Sequence, residues 1–349
     1  MRYWIKLNNI LLIVFVVLSI LSLIGGYYTK GICIWFSFLT LLIWPILAGN
    51  LLLMLMQLFA RKKRKSLIPL IAILLHTDYL LAMYQIPHSA SIKKTDGTLF
   101  TLVTYNVSNM YTDRHFVLRE AAAYLQILDA DVICLQEAPG PDYYHPDSVQ
   151  KAFYYMPYQY ITHRNDHLKL MILSRYPLRQ VTSYYYRQSP NLTLSADIEL
   201  PGRTIRLFNN HLQTTSVNQF RGRIQDSDNS WTSRLKGIAV FLSSLQQNMC
   251  LRADQADYLY HQIRLSPYLV LVCGDFNDIP ASYAYHRISQ LLTDGFRDCG
   301  SGYGYTFRQL YKLWRIDYIF YSNEFTGITY TSPDTPFSDH KVVVWSGKI

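Results

Sequence analysis

The chain has 349 residues, 50% of them hydrophobic and 16% charged, with a formal net charge of +9 at pH 7. Its aliphatic and aromatic content excludes an intrinsically disordered chain, and a mean hydropathy of +0.03 excludes a protein embedded in the bilayer throughout. The charge is uneven: residues 1–90 hold Arg2, Lys6, Lys30, Arg61, Lys62, Lys63, Arg64 and Lys65 against Asp78 alone, so the remainder is close to neutral. A pI of 9.1 therefore points to membrane flanks rather than to a nucleic-acid-binding surface.

No charged residue falls between Lys6 and Lys30 or between Lys30 and Arg61. Both runs exceed the roughly 20 residues that cross a bilayer as helix, and they predict spans over 7–29 and 31–58. A third run, 67–86, carries His76 and Asp78. An ionised carboxylate within a span costs about 2.5–3.5 kcal/mol on insertion scales, yet the surrounding Leu, Ile and Ala and the terminating Pro87 favour a third crossing. His76 and Asp78 read as a polar pair facing neighbouring helices, or shifted toward the interface by tilt, rather than as a proton or ion relay. The basic cluster Arg61–Lys65 keeps the second loop cytoplasmic, so the third crossing would carry the chain beyond Pro87 out of the cytoplasm. No A-x-A pattern follows the first run, against a cleavable signal peptide.

The five cysteines, Cys33, Cys134, Cys250, Cys273 and Cys299, lack C-x-x-C spacing and read as free or structural thiols, with a Cys250–Cys299 disulfide left open. Residues 88–98 read as a linker, and 99–349 have the size of one domain. Short Val-, Ile- and Tyr-rich runs predict strands at Leu99–Val107, Val132–Gln136, Leu170–Ser174, Ser195–Leu200, Thr204–Asn209, Leu269–Cys273, Ile316–Tyr321 and Val342–Trp345. Helical periodicity covers Arg114–Leu128, Ser233–Gln247 and Ala253–Ile263. The economical architecture is α+β, two packed sheets covered by helices.

Polar groups gather where these strands end: Tyr105-Asn106-Val107, Leu135-Gln136-Glu137, Asn209-Asn210-His211, Gly274-Asp275-Phe276-Asn277-Asp278, Arg315-Ile316-Asp317-Tyr318 and Ser338-Asp339-His340. Loops on a rigid sheet are where catalytic groups are commonly carried. Each motif alone is commonplace, a solvated acid or a turn. Together and in this order, over roughly residues 99–347, they resemble the endonuclease/exonuclease/phosphatase superfamily, the fold of deoxyribonuclease I. Leu173-Ser174-Arg175-Tyr176-Pro177 is similar to a family segment closing a central strand, and the helix at Arg252–Ala256 before Gly274 resembles membrane-anchored bacterial members.

The resemblance implies a four-layer α/β sandwich, here preceded by three transmembrane helices, and a phosphoester hydrolase. It implies Mg²⁺, with Mn²⁺ as the alternative, held by Glu137 with Asn106 and Asp339 around it; carboxylate and amide oxygens suit such hard cations. His340, paired with Asp317, is the implied general base or phosphate-facing imidazole. His211 would donate to the phosphate or the leaving group, and Asp275 and Asn277 would position water and the non-bridging oxygens. Ser108 stands where abasic-site endonucleases carry a second carboxylate, which favours one-metal chemistry on Glu137.

The implied substrate is a nucleic acid, a nucleotide, a phospholipid headgroup or a sugar phosphate. Arg175, Arg221, Arg223 and Arg308 are candidates for a basic patch, and Thr214–His261 is long enough for a helical flap. The implied location is the bacterial inner membrane, with the domain on the periplasmic or extracytoplasmic side. The competing reading is a catalytically silent, membrane-tethered binding or scaffold protein of the same fold. Retention of all eight polar residues speaks for the enzyme.

Overall fold

The computed structural model describes residues 2–29, 31–86, 97–112, 114–163, 168–215 and 231–349. The chain divides into two compact units, one of residues 1–81, 215–254 and 279–287 and the other of residues 82–214, 255–278 and 288–349.

The first unit is helical. Arg2–Tyr27 is a single helix whose stretch Lys6–Tyr27 is long and apolar enough to cross a membrane. The second and third apolar runs differ from expectation. Each is a pair of helices bent at a short break, Cys33–Leu41 with Ile43–Phe59 at 74° and Lys63–Leu74 with Thr77–Met83 at 55°. Among the described residues there is thus one unbroken candidate span, and three only if each bent pair counts as one. The first break is local: Leu42 has non-helical dihedrals (φ −97°, ψ 16°), and Pro45 then occupies the first turn of the next helix, where its missing N–H is harmless.

These helices pack through small and polar residues. A Cβ on Gly25 would sit 2.2 Å from the Phe36 carbonyl carbon, so only glycine admits that approach. Ser37 Oγ donates to the Gly25 carbonyl, and Asn50 Nδ2 donates to Ser19 Oγ and the Ile46 carbonyl. Such contacts hold helices together where lipid removes the hydrophobic drive. Ile34 packs with Leu245 and Met249 of the long helix Trp231–Arg264. His76 is buried and Asp78 exposed.

The second unit is a mixed α/β sandwich of two six-stranded sheets. One orders Thr326–Thr331, Val343–Lys348, Leu99–Asn106, Val132–Ala138, Lys169–Ser174 and Tyr158–Ile161. The other orders Thr293–Asp294, Asp317–Tyr321, Leu269–Asp275, Arg203–His211, Leu192–Leu200 and Leu178–Tyr185. Between them lies an apolar core including Leu102, Cys134, Ile172, Leu207, Leu271, Ile319 and Trp345. Helices Leu118–Ile127 and Pro146–Ala152 cover the outer face of the first sheet. On the second, Gln255 Oε1 accepts the Gln213 N–H and Tyr258 stacks on Tyr184 with ring centroids 3.7 Å apart.

Three hydrogen bonds of one side chain cross between the sheets. Asn209 donates from Nδ2 to the Leu135 and Met171 carbonyls and accepts from Gln136 Nε2 at 2.6 Å, joining the sheets and fixing their alignment. All five cysteines are free thiols, so the disulfide left open between Cys250 and Cys299 is not formed.

Candidate active site

Strand direction assembles the site. Leu99–Asn106 and Val132–Ala138 run parallel with Asn106 opposite Gln136, so Asn106 and Glu137 emerge at the same edge. Arg203–His211 and Leu269–Asp275 run parallel with His211 opposite Asp275, and antiparallel pairing sets Asp317 opposite Asp275. Val343–Lys348 runs antiparallel to Leu99–Asn106, so the residues that precede it, His340 included, enter at that edge as well.

The local backbone serves the site. Gly274 has φ +127°, and a Cβ there would lie 2.0 Å from the Asn210 carbonyl oxygen, so the chain reaches Asp275 only through glycine. Glu137 sits at a register shift with φ +47°, and Asn277 has φ +53°. Non-glycine residues in this region are strained, and such strain concentrates at functional positions.

Side chains from both sheets converge. Asn106 Nδ2 donates to Glu137 Oε1 at 3.1 Å and to Asp275 Oδ2 at 3.0 Å. His211 Nε2 lies 3.8 Å from Glu137 Oε1 and 3.7 Å from Asp275 Oδ2. His340 Nε2 lies 3.8 Å from the same Asp275 oxygen, and its Nδ1 contacts Asp317 at 3.0 Å. Second-layer groups hold these in place. Ser338 Oγ donates to the Asn106 carbonyl and accepts the His340 N–H, and Thr306 Oγ1 accepts the Ile316 and Asp317 N–H groups.

Electrostatics follows from this crowding. Burial disfavours the Asp275 carboxylate most strongly; the nearby His340 and His211 oppose that, Asp317 adds to it, and the pKa settles raised at about 6. Burial by itself would lower the His340 pKa, but Asp317 and Asp275 outweigh it and lift it to about 10. At neutral pH His340 is therefore an imidazolium and a donor.

Of the eight residues singled out in sequence, Asn106, Glu137, His211, Asp275, Asp317 and His340 come together. Asn277 lies beside them with its amide committed to structure: its N–H donates to Asp275 Oδ1 and its Nδ2 to the Leu212 carbonyl. Asp339 turns aside, its carboxylate accepting from Gln309 Nε2 at 2.9 Å. Asn106 directs its amide nitrogen, not its oxygen, at the two carboxylates, and in this orientation it is a donor rather than a ligand. Candidate ligand atoms of Asp275, Asp317 and His340 lie within 4.8 Å of one another, and while His340 is protonated those of the two carboxylates are the ones a cation can use. With Glu137 alongside, this oxygen-rich and acidic donor set fits a hard divalent cation.

Among the basic-patch candidates, Arg175 forms an ion pair with Asp129, and Arg221 and Arg223 lie outside the described residues. So do most of the linker and residues 216–230 of the flap; from Trp231 on, the flap is part of the helix Trp231–Arg264.

Sequence reasoning gave Arg315 no role. It is fully buried, with Nη1 donating to Asp294 at 2.8 Å and to the Ala82 carbonyl at 2.9 Å and the guanidinium 4.7 Å from the Phe296 and Tyr318 ring centroids. Its signal was present, a charged residue opening an apolar strand two positions before Asp317, but Asp294 carried none. Thr306 and Ser338 could not have been distinguished from any other hydroxyl.

The model of the Endonuclease/Exonuclease/phosphatase family matches residues 103–340. The chain belongs to that family. A second family model, described only as a domain of unknown function, matches residues 6–83. Comparison with curated proteins finds no match.

Solved structures of the same fold include an endonuclease/exonuclease/phosphatase from Beutenbergia cavernae, 17% identical, covering 72% of this chain and 72% of that chain at a TM-score of 0.53. TDP2 from D. rerio, complexed with single-strand DNA product, is 15% identical and covers 72% of this chain and 100% of its own, TM-score 0.52. The human Nocturnin catalytic domain with bound sulfate is 16% identical, covering 72% and 94%, TM-score 0.51. At these identities the likeness is one of fold. Family membership agrees with phosphoester hydrolysis and with divalent-metal dependence at the buried acidic and histidine cluster.

Proposed function

We propose that the chain is a membrane-anchored, Mg²⁺-dependent phosphoester hydrolase whose catalytic domain lies outside the cytoplasm. The observation that carries the reading is the meeting of Asn106, Glu137, His211, Asp275, Asp317 and His340 at one edge of two sheets, with two carboxylates bound to a single amide. Glu137, the most accessible of the acids with 26% of its side chain exposed, is the residue best placed to hold Mg²⁺ in contact with substrate.

A bound divalent ion would supply charge neutralisation for the phosphate. The protein's own groups do the rest. The His340 imidazolium, oriented by Asp317 through Nδ1, leaves Nε2 to donate to a phosphate oxygen. That favours the phosphate-facing role over that of general base. Asp275, ionised above about pH 6, accepts from Asn106 and the Asn277 N–H and is the better group to receive a proton from water. His211 Nε2, between Glu137 and Asp275, is placed to donate to the leaving oxygen.

The Beutenbergia and Nocturnin likenesses do not choose a substrate; the TDP2 complex with single-strand DNA product supports including single-stranded nucleic acid among those tried. The test is hydrolysis of plasmid and single-stranded DNA, sphingomyelin, inositol phosphates and nucleotides by the full chain with Mg²⁺ and with chelator. Turnover of at least one class, abolished by chelator, is expected; none in the whole panel would refute the reading.

The topology follows if the bent pairs each make one crossing. Two crossings return the chain to its starting face, so Arg2 and Lys6 would share the cytoplasmic side with Arg61–Lys65, and the third would export the domain. A reporter fused after Gly347 is then expected to be active only outside the cytoplasm. Activity inside would overturn the placement without touching the chemistry.

A further inference from the structure

Apart from the carboxylate cluster, three cations crowd the segment that carries His340. Phe307 pairs with His340, the Arg308 N–H donates to the Asp339 carbonyl at 2.9 Å, and the Lys341 N–H donates to the Thr306 carbonyl at 2.7 Å. That pairing brings the Phe307 and His340 rings to 5.0 Å. Because successive side chains of extended backbone alternate, Arg308 and Lys341 turn to the other side of the same segment. There Lys341 Nζ lies 4.4 Å and Lys312 Nζ 5.6 Å from the Tyr305 ring centroid.

Two carboxylates stand near them. Asp334 accepts from Tyr305 Oη at 3.3 Å and lies 3.4 Å from Arg308 Nε and 3.9 Å from Lys341 Nζ, but its side chain is 58% exposed. Asp339 is engaged by Gln309. Arg308 Nη2 is buried with no hydrogen-bond partner, and Nε has only the Asp334 carboxylate at 3.4 Å, in no hydrogen-bond geometry. A buried donor without an acceptor, and like charges gathered around one tyrosine, both cost free energy. A multi-oxygen anion meeting all three cations relieves both, and the planar guanidinium fork is suited to phosphate.

We propose that Arg308, Lys312 and Lys341 form a subsite for a second, non-reacting phosphate of the substrate. This rests on the hydrolase reading above. The reacting phosphate meets Nε2 of His340, and the second lies one strand-width away, across residues 339–341. The hydrolase would thus favour a substrate bearing two phosphates over the same molecule bearing one. The second phosphate belongs either to the next unit of a polynucleotide or to a small bisphosphate.

The experiment is calorimetric titration of the full chain in Mg²⁺ with thymidine 5′-monophosphate, thymidine 3′,5′-bisphosphate and the 5′-phosphorylated dinucleotide pTpT. The bisphosphate or pTpT is expected to bind about tenfold or more tightly than the monophosphate, as one charged hydrogen-bonded contact warrants. Tighter binding of pTpT than of the bisphosphate identifies a strand, and the reverse a small molecule. Lys312→Gln, at an exposed position, and Lys341→Met are each expected to shrink the advantage. Equal affinity for all three probes, or an advantage unaltered in both variants, overturns the subsite. Since binding is read without turnover, an enzyme that hydrolyses nothing but keeps the advantage would sink the hydrolase reading and leave the subsite standing.

Discussion

Glu137→Ala is expected to lower kcat/KM by at least about three orders of magnitude, a loss of roughly 4 kcal/mol of transition-state stabilisation. Glu137 is the partly exposed acid of the cluster, at the end of a central strand, hydrogen-bonded to Asn106 and 3.8 Å from His211. If its role is to hold a cation, charge matters more than shape. Glu137→Gln, which keeps the length and an oxygen for Asn106, should then be nearly as inactive as the alanine variant and should recover in part as Mg²⁺ is raised. A residue that merely supports the bulge would be rescued by glutamine at any Mg²⁺ concentration. Turnover above about a tenth of the parent in both variants, with folding verified by thermal unfolding, would remove Glu137 from the site.

His340→Ala is expected to cost roughly two to four orders of magnitude, the range for a positioned proton-transfer or donor group. The pH profile separates this residue from Asp275. Asp275 has a raised pKa of about 6, so its carboxylate is lost below that value and activity falls on the acid side. His340 has a raised pKa of about 10, so the imidazolium is present below it and lost above, giving an alkaline limb. A plateau from about 6 to 10 follows, and both limbs should move to lower pH as Mg²⁺ is raised, because positive charge favours the deprotonated carboxylate and opposes the imidazolium. Asp317→Asn removes the first of the charges that raise His340, so its alkaline limb should appear at lower pH. An alkaline limb that persists unaltered in His340→Ala would assign that titration to another group.

Much of the central sandwich was legible because its strands are buried on both sides and read as unbroken apolar runs, as at Val132–Ala138 and Leu269–Asp275. The edge strand Leu178–Tyr185 was not legible. Exposed residues such as Arg179, Gln180 and Tyr184 leave no apolar run, and only pairing with Leu192–Leu200 makes it a strand. Likewise the two helices expected at Ser233–Gln247 and Ala253–Ile263 are one helix, Trp231–Arg264, since nothing between them breaks the backbone. The expected helix at Arg114–Leu128 starts only at Leu118, after the antiparallel pairing of Tyr111–Thr112 with His115–Phe116.

The site was readable where chemistry and strand ends coincide, as at Glu137, Asp275 and Asp317. Its long-range ties were not. Gln136 meeting Asn209, or Ser338 meeting Asn106, is decided by the register of strands far apart in sequence. The bends near Leu42 and between Leu74 and Thr77 were hidden for the opposite reason: hydropathy reports apolar length, not axis direction.

The buried Arg315 guanidinium decides where this protein can be cut. It grips the carbonyl of Ala82, the Met83 carbonyl accepts the Gly304 N–H, and Tyr84 and Gln85 pair with Tyr303 and Gly302. A soluble fragment begun at the apparent linker, near residue 98, would discard these partners and leave one acceptor fewer for a cation two residues from Asp317. A fragment begun at Ala82 keeps them, so the useful boundary for crystallisation lies inside what hydropathy marks as the end of the third apolar run.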